Sequence, residues 1–198
     1  MKQQVIQYAN SDNHITPAHS DGKPATLWYG RGWSRPLTDD EQFAIDVGVR
    51  RKRFFFFGKP SVVSRVFEFR HEPAATLMFL YEGKFYSPTD GLYHDFGSVP
   101  AIAEFMPSFT SLSTPSSFVL HDEGYRRRTD GTHSVRVSTD NGVTWSRCTV
   151  TKAFMDRMLR AGIQVERKNS KLSAGIIYRL LQAFGGRAWS RKRKGGDV

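Results

Sequence analysis

The chain changes character at Pro115. Upstream, "SVVSRVFEF", "ATLMFLYEG" and "KFYSP" are short β-rich runs broken by Gly and Pro, and they predict a small antiparallel sheet. The segment "TDGLYHDFGSVP" closes it as a loop. Downstream the periodicity is helical. "SSFVLHDEGYRRR" predicts a helix capped by Ser116 or Ser117. "TKAFMDRMLRAG" predicts a second, with Thr151 as cap and Gly162 as stop, and "KLSAGIIYRLLQAFGG" a third with an apolar face of Leu172, Ile176, Leu180 and Phe184, ending at Gly185. Between the first two lies "HSVRVSTDNGVTWSRCTV", two alternating runs around Asn141-Gly142 that read as a β-hairpin. The expected fold class is α+β: a small antiparallel β-sheet followed by a three-helix region with an inserted hairpin.

Residues 1–59 mix polar clusters with Gly, Pro and aromatics, and read as an N-terminal extension with one short helix, "LTDDEQFAIDVG", capped by Thr38. "RRKRFFFFG" at 50–58 is too short to span a bilayer and reads as a buried strand with basic gatekeepers. The main domain is expected over 60–190, followed by a basic tail at 191–198. A hydrophobic fraction of 39% in 198 residues suffices for a packed core. With 29 Lys and Arg against 19 Asp and Glu, the chain is a cation of net charge +10 that attracts anionic partners. A single cysteine, Cys148, excludes an internal disulfide. The start lacks the apolar run of a signal peptide, and no segment approaches the ~20 apolar residues of a membrane span, so a soluble protein is expected.

Within the hairpin, "STDNGVTW" matches the Asp-box pattern of sialidases at Ser138, Asp140, Gly142, Thr144 and Trp145. In those proteins the box is a structural turn repeated once per propeller blade; it occurs once here, in a chain too short for a propeller. The expectation is therefore local: Asp140 accepts turn amides, Gly142 takes positive φ, and Trp145 packs across the hairpin.

His121 and Tyr125 are four residues apart and share a helix face, with Asp122 about 100° around. Asp156 sits among apolar residues of the second helix, and a carboxylate facing a core needs a partner. His121 is the natural one.

The motifs "HDFGSVP" at 94–100, "HDEGY" at 121–125, Met155-Asp156 and "FGGRAW" at 184–189 resemble, in order and approximate spacing, the bacteriophage and prophage family known as domain of unknown function 1353. Its usual signs are T-D-F-A-S-V-P, H-D-x-L-Y, an A-D helix and F-G-x-x-W. The chain departs from it at His94, Gly97 and Gly124, where Thr, Ala and Leu are usual, and in its hairpin. The resemblance implies a phage-encoded protein located in the host cytoplasm or the phage particle.

"HDEGYR" also resembles the H-D-x-x-Y helix of bacterial and fungal phospholipases A2, which pair it with an Asp on an antiparallel helix. That likeness implies a calcium-dependent ester hydrolase with a phospholipase-A2-like helix pair. In it His121 is the general base, Asp156 orients it and Tyr125 anchors Asp156. Asp122 would bind Ca²⁺, with the 89–100 loop and Asp95 supplying further oxygens. Their glycine-rich calcium loop has no recognisable counterpart here.

Two other readings stand beside this one. His94, His121-Asp122 and Asp156 also follow the order of metal-dependent HD phosphohydrolases. Alternatively the protein is a non-enzymatic phage accessory or virion-associated protein. It would bind another phage protein, nucleic acid or a lipid surface through "RRKR" at 50–53, Arg126 to Arg128 and "RKRK" at 191–194. No P-loop, dinucleotide fingerprint, zinc Cys cluster or serine elbow is present.

Overall fold

The computed structural model describes residues 6–7, 26–45, 49–50, 61–62, 66–73, 75–94, 115–126, 128, 130–166 and 171–190. Eleven strands among them form three antiparallel sheets. The first has order β1-β3-β6-β9: Ile6–Gln7, Gly32–Pro36, Phe67–His71 and Tyr93–His94. The second has order β11-β10-β8-β7-β2: Ser146–Thr149, Ser134–Ser138, Lys84–Ser87, Met78–Tyr81 and Leu27–Tyr29. β4 (Val49–Arg50) and β5 (Ser61–Val62) pair separately. The helices are α1 (Asp39–Ile45), α2 (Pro115–Tyr125), α3 (Lys152–Glu166), α4 (Lys171–Phe184) and the short α5 (Gly186–Ser190). The α+β class holds, with two larger sheets where one small sheet was expected. None of the helices among the described residues is long and apolar enough to cross a membrane.

Strand alternation divides the five-stranded sheet into two faces. Phe79, Tyr86, Val135 and Val137 join Trp28, Phe69, Phe118, Met155, Met158, Leu159 and Ile163 in the main core. Leu80 and Phe85, each one residue out of step, form with Tyr29 a smaller cluster against which Trp145 packs. Residues 27–36, read from the sequence as irregular extension, thus supply β2 and β3, and Trp28 is a core residue. Within the same stretch Thr38 caps α1 as expected. Its Oγ1 accepts from Glu41 N at 3.2 Å while Glu41 Oε2 accepts from Thr38 N at 2.8 Å, a reciprocal capping box. The expected "RRKRFFFFG" strand falls outside the described residues beyond Arg50, as does the 191–198 tail.

The hairpin is no insertion beside the sheet. β10 pairs with β8 as well as β11, so it forms part of the sheet itself. Asn141 and Gly142 adopt φ of 58° and 83°, and Asp140 accepts from Thr144 N at 2.9 Å and Ser138 Oγ at 2.6 Å. These bonds hold the Asp140 carboxyl low, at about 2. The Arg136 guanidinium lies 4.8 Å over the Trp145 ring across the hairpin.

Helix α2 is buried on every side from Ser116 to Gly124. Its polar side chains, Ser116, Ser117, His121, Asp122 and Glu123, are therefore buried too, and each requires a partner supplied by another element. Pro115, not a serine, opens the helix. Ser116 and Ser117 lie in the first turn and donate to the Glu166 carboxylate at the far end of α3, through Ser116 N at 3.1 Å and Ser117 Oγ. Thr151 caps α3 as expected, accepting from Phe154 N at 3.2 Å.

Gly162 does not stop α3, which continues to Glu166. An added Cβ at Gly162 would lie 2.5 Å from Ser117 Oγ, and one at Gly124 would lie 2.3 Å from Met155 Cε. The two glycines thus let α2 and α3 approach closely at both ends of an antiparallel contact. Helix α4 buries Ala174 and packs Ile177 and Leu181 on the core, leaving Leu172 and Phe184 exposed at 78% and 56%. The expected Leu172, Ile176, Leu180, Phe184 face is therefore rotated from the one that docks.

Candidate functional site

The close helix pair brings His121, Tyr125 and Asp156 together. His121 Nε2 lies 3.2 Å from Asp156 Oδ1, and the Tyr125 hydroxyl donates to the same oxygen. The other carboxylate oxygen, Oδ2, accepts from Lys152 Nζ and from Gln182 Nε2, each at 2.6 Å. Lys152 Nζ also donates to the Leu181 carbonyl at 2.7 Å, so α4 is tied into the site by its backbone as well as by Gln182. Asp156 is fully buried and answers the cost of its burial with four donors.

A carboxylate can only accept, so in the neutral ring Nε2 carries the proton towards Asp156 and Nδ1 keeps a lone pair. Nδ1 is buried and has no hydrogen-bond partner among the described residues. Burial pushes the imidazole pKa down, outweighing the bond to Asp156, and the Lys152 charge pushes the same way. The ring is therefore neutral at pH 7. Burial alone would raise the Asp156 pKa, but hydrogen bonds from His121, Lys152 and Tyr125 bring it below its ordinary value. Tyr125 is driven up by burial and then by Asp156, so it stays a phenol and a donor.

Behind this cluster Trp189 of α5 meets the Tyr125 ring edge-on at 5.0 Å and stacks on His133 at 3.7 Å. His133 Nδ1 donates to the Gly124 carbonyl at 3.3 Å. Lys152, Gln182 and His133 were not among the residues expected at the site. Lys152 could have been found from its i, i+4 spacing to Asp156; the other two come from elements whose docking the sequence does not print.

Asp122 is buried beside His121 at 6% exposure, while Asp95 lies outside the described residues. Among the described residues no three His, Cys, Asp or Glu side chains gather as a metal site. One buried carboxylate does not make the six to eight oxygen ligands that Ca²⁺ takes. These residues alone therefore do not fit a calcium ion. His94 is held elsewhere, its Nε2 2.8 Å from Ser34 Oγ and its ring stacked 5.9 Å from Phe67, as a tie between β3, β6 and β9.

No family model, curated protein or solved structure matches this chain.

Proposed function

We propose that the protein is an ester hydrolase in which His121 Nδ1 is the general base. The observation that carries this reading is an imidazole anchored through Nε2 to a buried carboxylate while its other nitrogen holds an uncommitted lone pair among the described residues. Nδ1 takes a proton from water as the oxygen attacks the ester carbonyl carbon. The tetrahedral intermediate then collapses, its carbon–oxygen bond to the alcohol breaks, and the proton on Nδ1 passes to the departing alkoxide. Asp156, held ionised by Lys152 and oriented by Tyr125 and Gln182, stabilises the transient imidazolium without accepting its proton. The resemblance to phospholipases A2 supports a lipid ester as substrate, and the resemblance to the phage and prophage family supports a phage protein as the setting. Calcium is part of the phospholipase A2 resemblance and not of the mechanism proposed for these residues. The ring is 3% exposed, so ester access requires displacement of the groups that cover it.

The test is hydrolysis of a short-chain phosphatidylcholine and of a soluble nitrophenyl ester by the wild type, His121→Asn and Asp156→Asn, with calcium and with a chelator. Loss of at least about 100-fold in turnover in His121→Asn is expected. Turnover of neither ester, or turnover indifferent to His121, would overturn the assignment and favour an accessory protein that binds through its basic surface. Turnover unchanged by the chelator would retire calcium alone.

A further inference from the structure

On the flank of α2 turned away from His121, two residues or about 200° around the helix, Glu123 is completely buried. One of its oxygens, Oε1, accepts from Arg128 Nη2, from Arg147 Nη1 at 3.0 Å and from Thr89 Oγ1 at 2.8 Å. Thr89 Oγ1 accepts in turn from Arg147 Nη2 at 2.8 Å. Two guanidiniums thus converge on this one carboxylate. Three further Arg147 N–H groups have no partner among the described residues, and the side chain is 40% exposed.

These arginines, with Arg126, face a cleft of about 520 Å³, within the range of small-molecule sites. Asp90 and Asp130 also line it; Asp90 is paired with Arg70, while Asp130 keeps its charge beside Arg128. Asp90 accepts from Arg70 Nη1 and His71 N, each at 2.8 Å, and Asp130 turns back onto the Thr132 amide and hydroxyl, also at 2.8 Å. A fourth cation stands close by: Arg136 is directly opposite Arg147 in the β10–β11 ladder, so two like charges share one sheet face, a repulsion that a bound anion relieves. The hydroxyls of Thr132, Ser134 and Thr149 complete the lining.

We propose that this cleft binds a phosphate-class oxyanion, carried either by a small phosphate monoester or by a phospholipid headgroup. Guanidinium forks match tetrahedral oxyanions in shape and charge, and the buried Glu123 fixes two of them before a ligand arrives. The proposal is independent of the hydrolase reading, since Glu123, which holds Arg128 and Arg147, and His121, which meets Asp156, lie on different flanks of α2.

Backbone amide NMR on the full chain tests it, with inorganic phosphate, glycerol 3-phosphate and phosphatidic acid vesicles as probes, against sodium chloride at matched ionic strength. Saturable shifts of the Thr89–Leu92 and Thr132–Ser134 amides are expected, weakened about tenfold or more in Arg147→Gln. Arg126→Gln, outside the Glu123 cluster, should weaken binding without unfolding the protein, and Arg147→Lys should recover only part of it. Binding to soluble phosphates assigns a monoester; binding to vesicles alone, lost in Arg147→Gln, assigns a headgroup. Shifts reproduced by chloride, no saturable shift with any probe, or vesicle binding indifferent to both arginines would overturn it.

Discussion

Gly124 decides how near α2 comes to α3. Replacing Gly by Ala in a helix ordinarily stabilises it by about 1 kcal/mol, but here the new carbon would sit 2.3 Å from Met155, itself fully buried. Overpacking of this kind costs about 1–3 kcal/mol, so the sign reverses. Gly124→Leu is therefore expected to destabilise strongly, and Gly124→Leu with Met155→Ala to recover much of the loss. A double-mutant cycle by urea unfolding measures the coupling. Asp156→Asn should cost about 3 kcal/mol by the same measurement, because it leaves the half-buried Lys152 without its counter-charge. His121, Tyr125 and Asp156 were legible because an i, i+4 pair and one acid in an apolar helix leave few ways to satisfy the acid. Gln182 was not, since its position depends on which face α4 turns inward.

That face is the chief lesson at the scale of elements. "KLSAGIIYRLLQAF" doubles its apolar residues at Ile176-Ile177 and Leu180-Leu181, so two stripes about 100° apart fit the same period. Docking selects the one containing Ala174, Ile177 and Leu181, where the Leu181 carbonyl meets Lys152 and Gln182 reaches Asp156. Gly162 misled in a related way: a glycine near a helix end reads as a stop, while its actual use is close approach to Ser117.

Glu166, which joins the end of α3 to the start of α2, supplies a pH prediction. Burial lifts its carboxyl to about 7, against the lowering effect of the bonds from Ser117 and Ser116. A folded pKa above the unfolded value favours the native state most below the unfolded pKa, near 4.5, and that contribution is lost as pH rises through about 7. Wild-type stability relative to Glu166→Gln should fall across this window, by on the order of 1 kcal/mol per pKa unit, in thermal unfolding followed as a function of pH.

Across the molecule, one core joins residues of the five-stranded sheet, Phe69 of the four-stranded sheet, and α2, α3 and α4. Far-ultraviolet and near-ultraviolet circular dichroism should accordingly report a single coincident urea transition; separated midpoints would show that sheet and helices unfold apart. The C-terminal turn belongs to this unit through Trp189. Trp189→Ala is expected to lower stability by about 2 kcal/mol, less than for a fully buried Trp, by urea unfolding. The overall class and most helix starts were readable from period and caps, whereas β2 and β3 were hidden by the Gly and Pro around "LWYGRGWSRP".

The five-stranded sheet ends on two unlike strands. β2 has α3 against it, while β11, among the described residues, is the outermost strand on the other side, largely exposed and written Ser-Arg-Cys-Thr. A bare outer strand invites a neighbour to zip on, and a solvated guanidinium there keeps copies of the chain apart. Exchanging Arg147 for a β-branched apolar residue would thus do harm of a second kind, visible as clouding of concentrated samples.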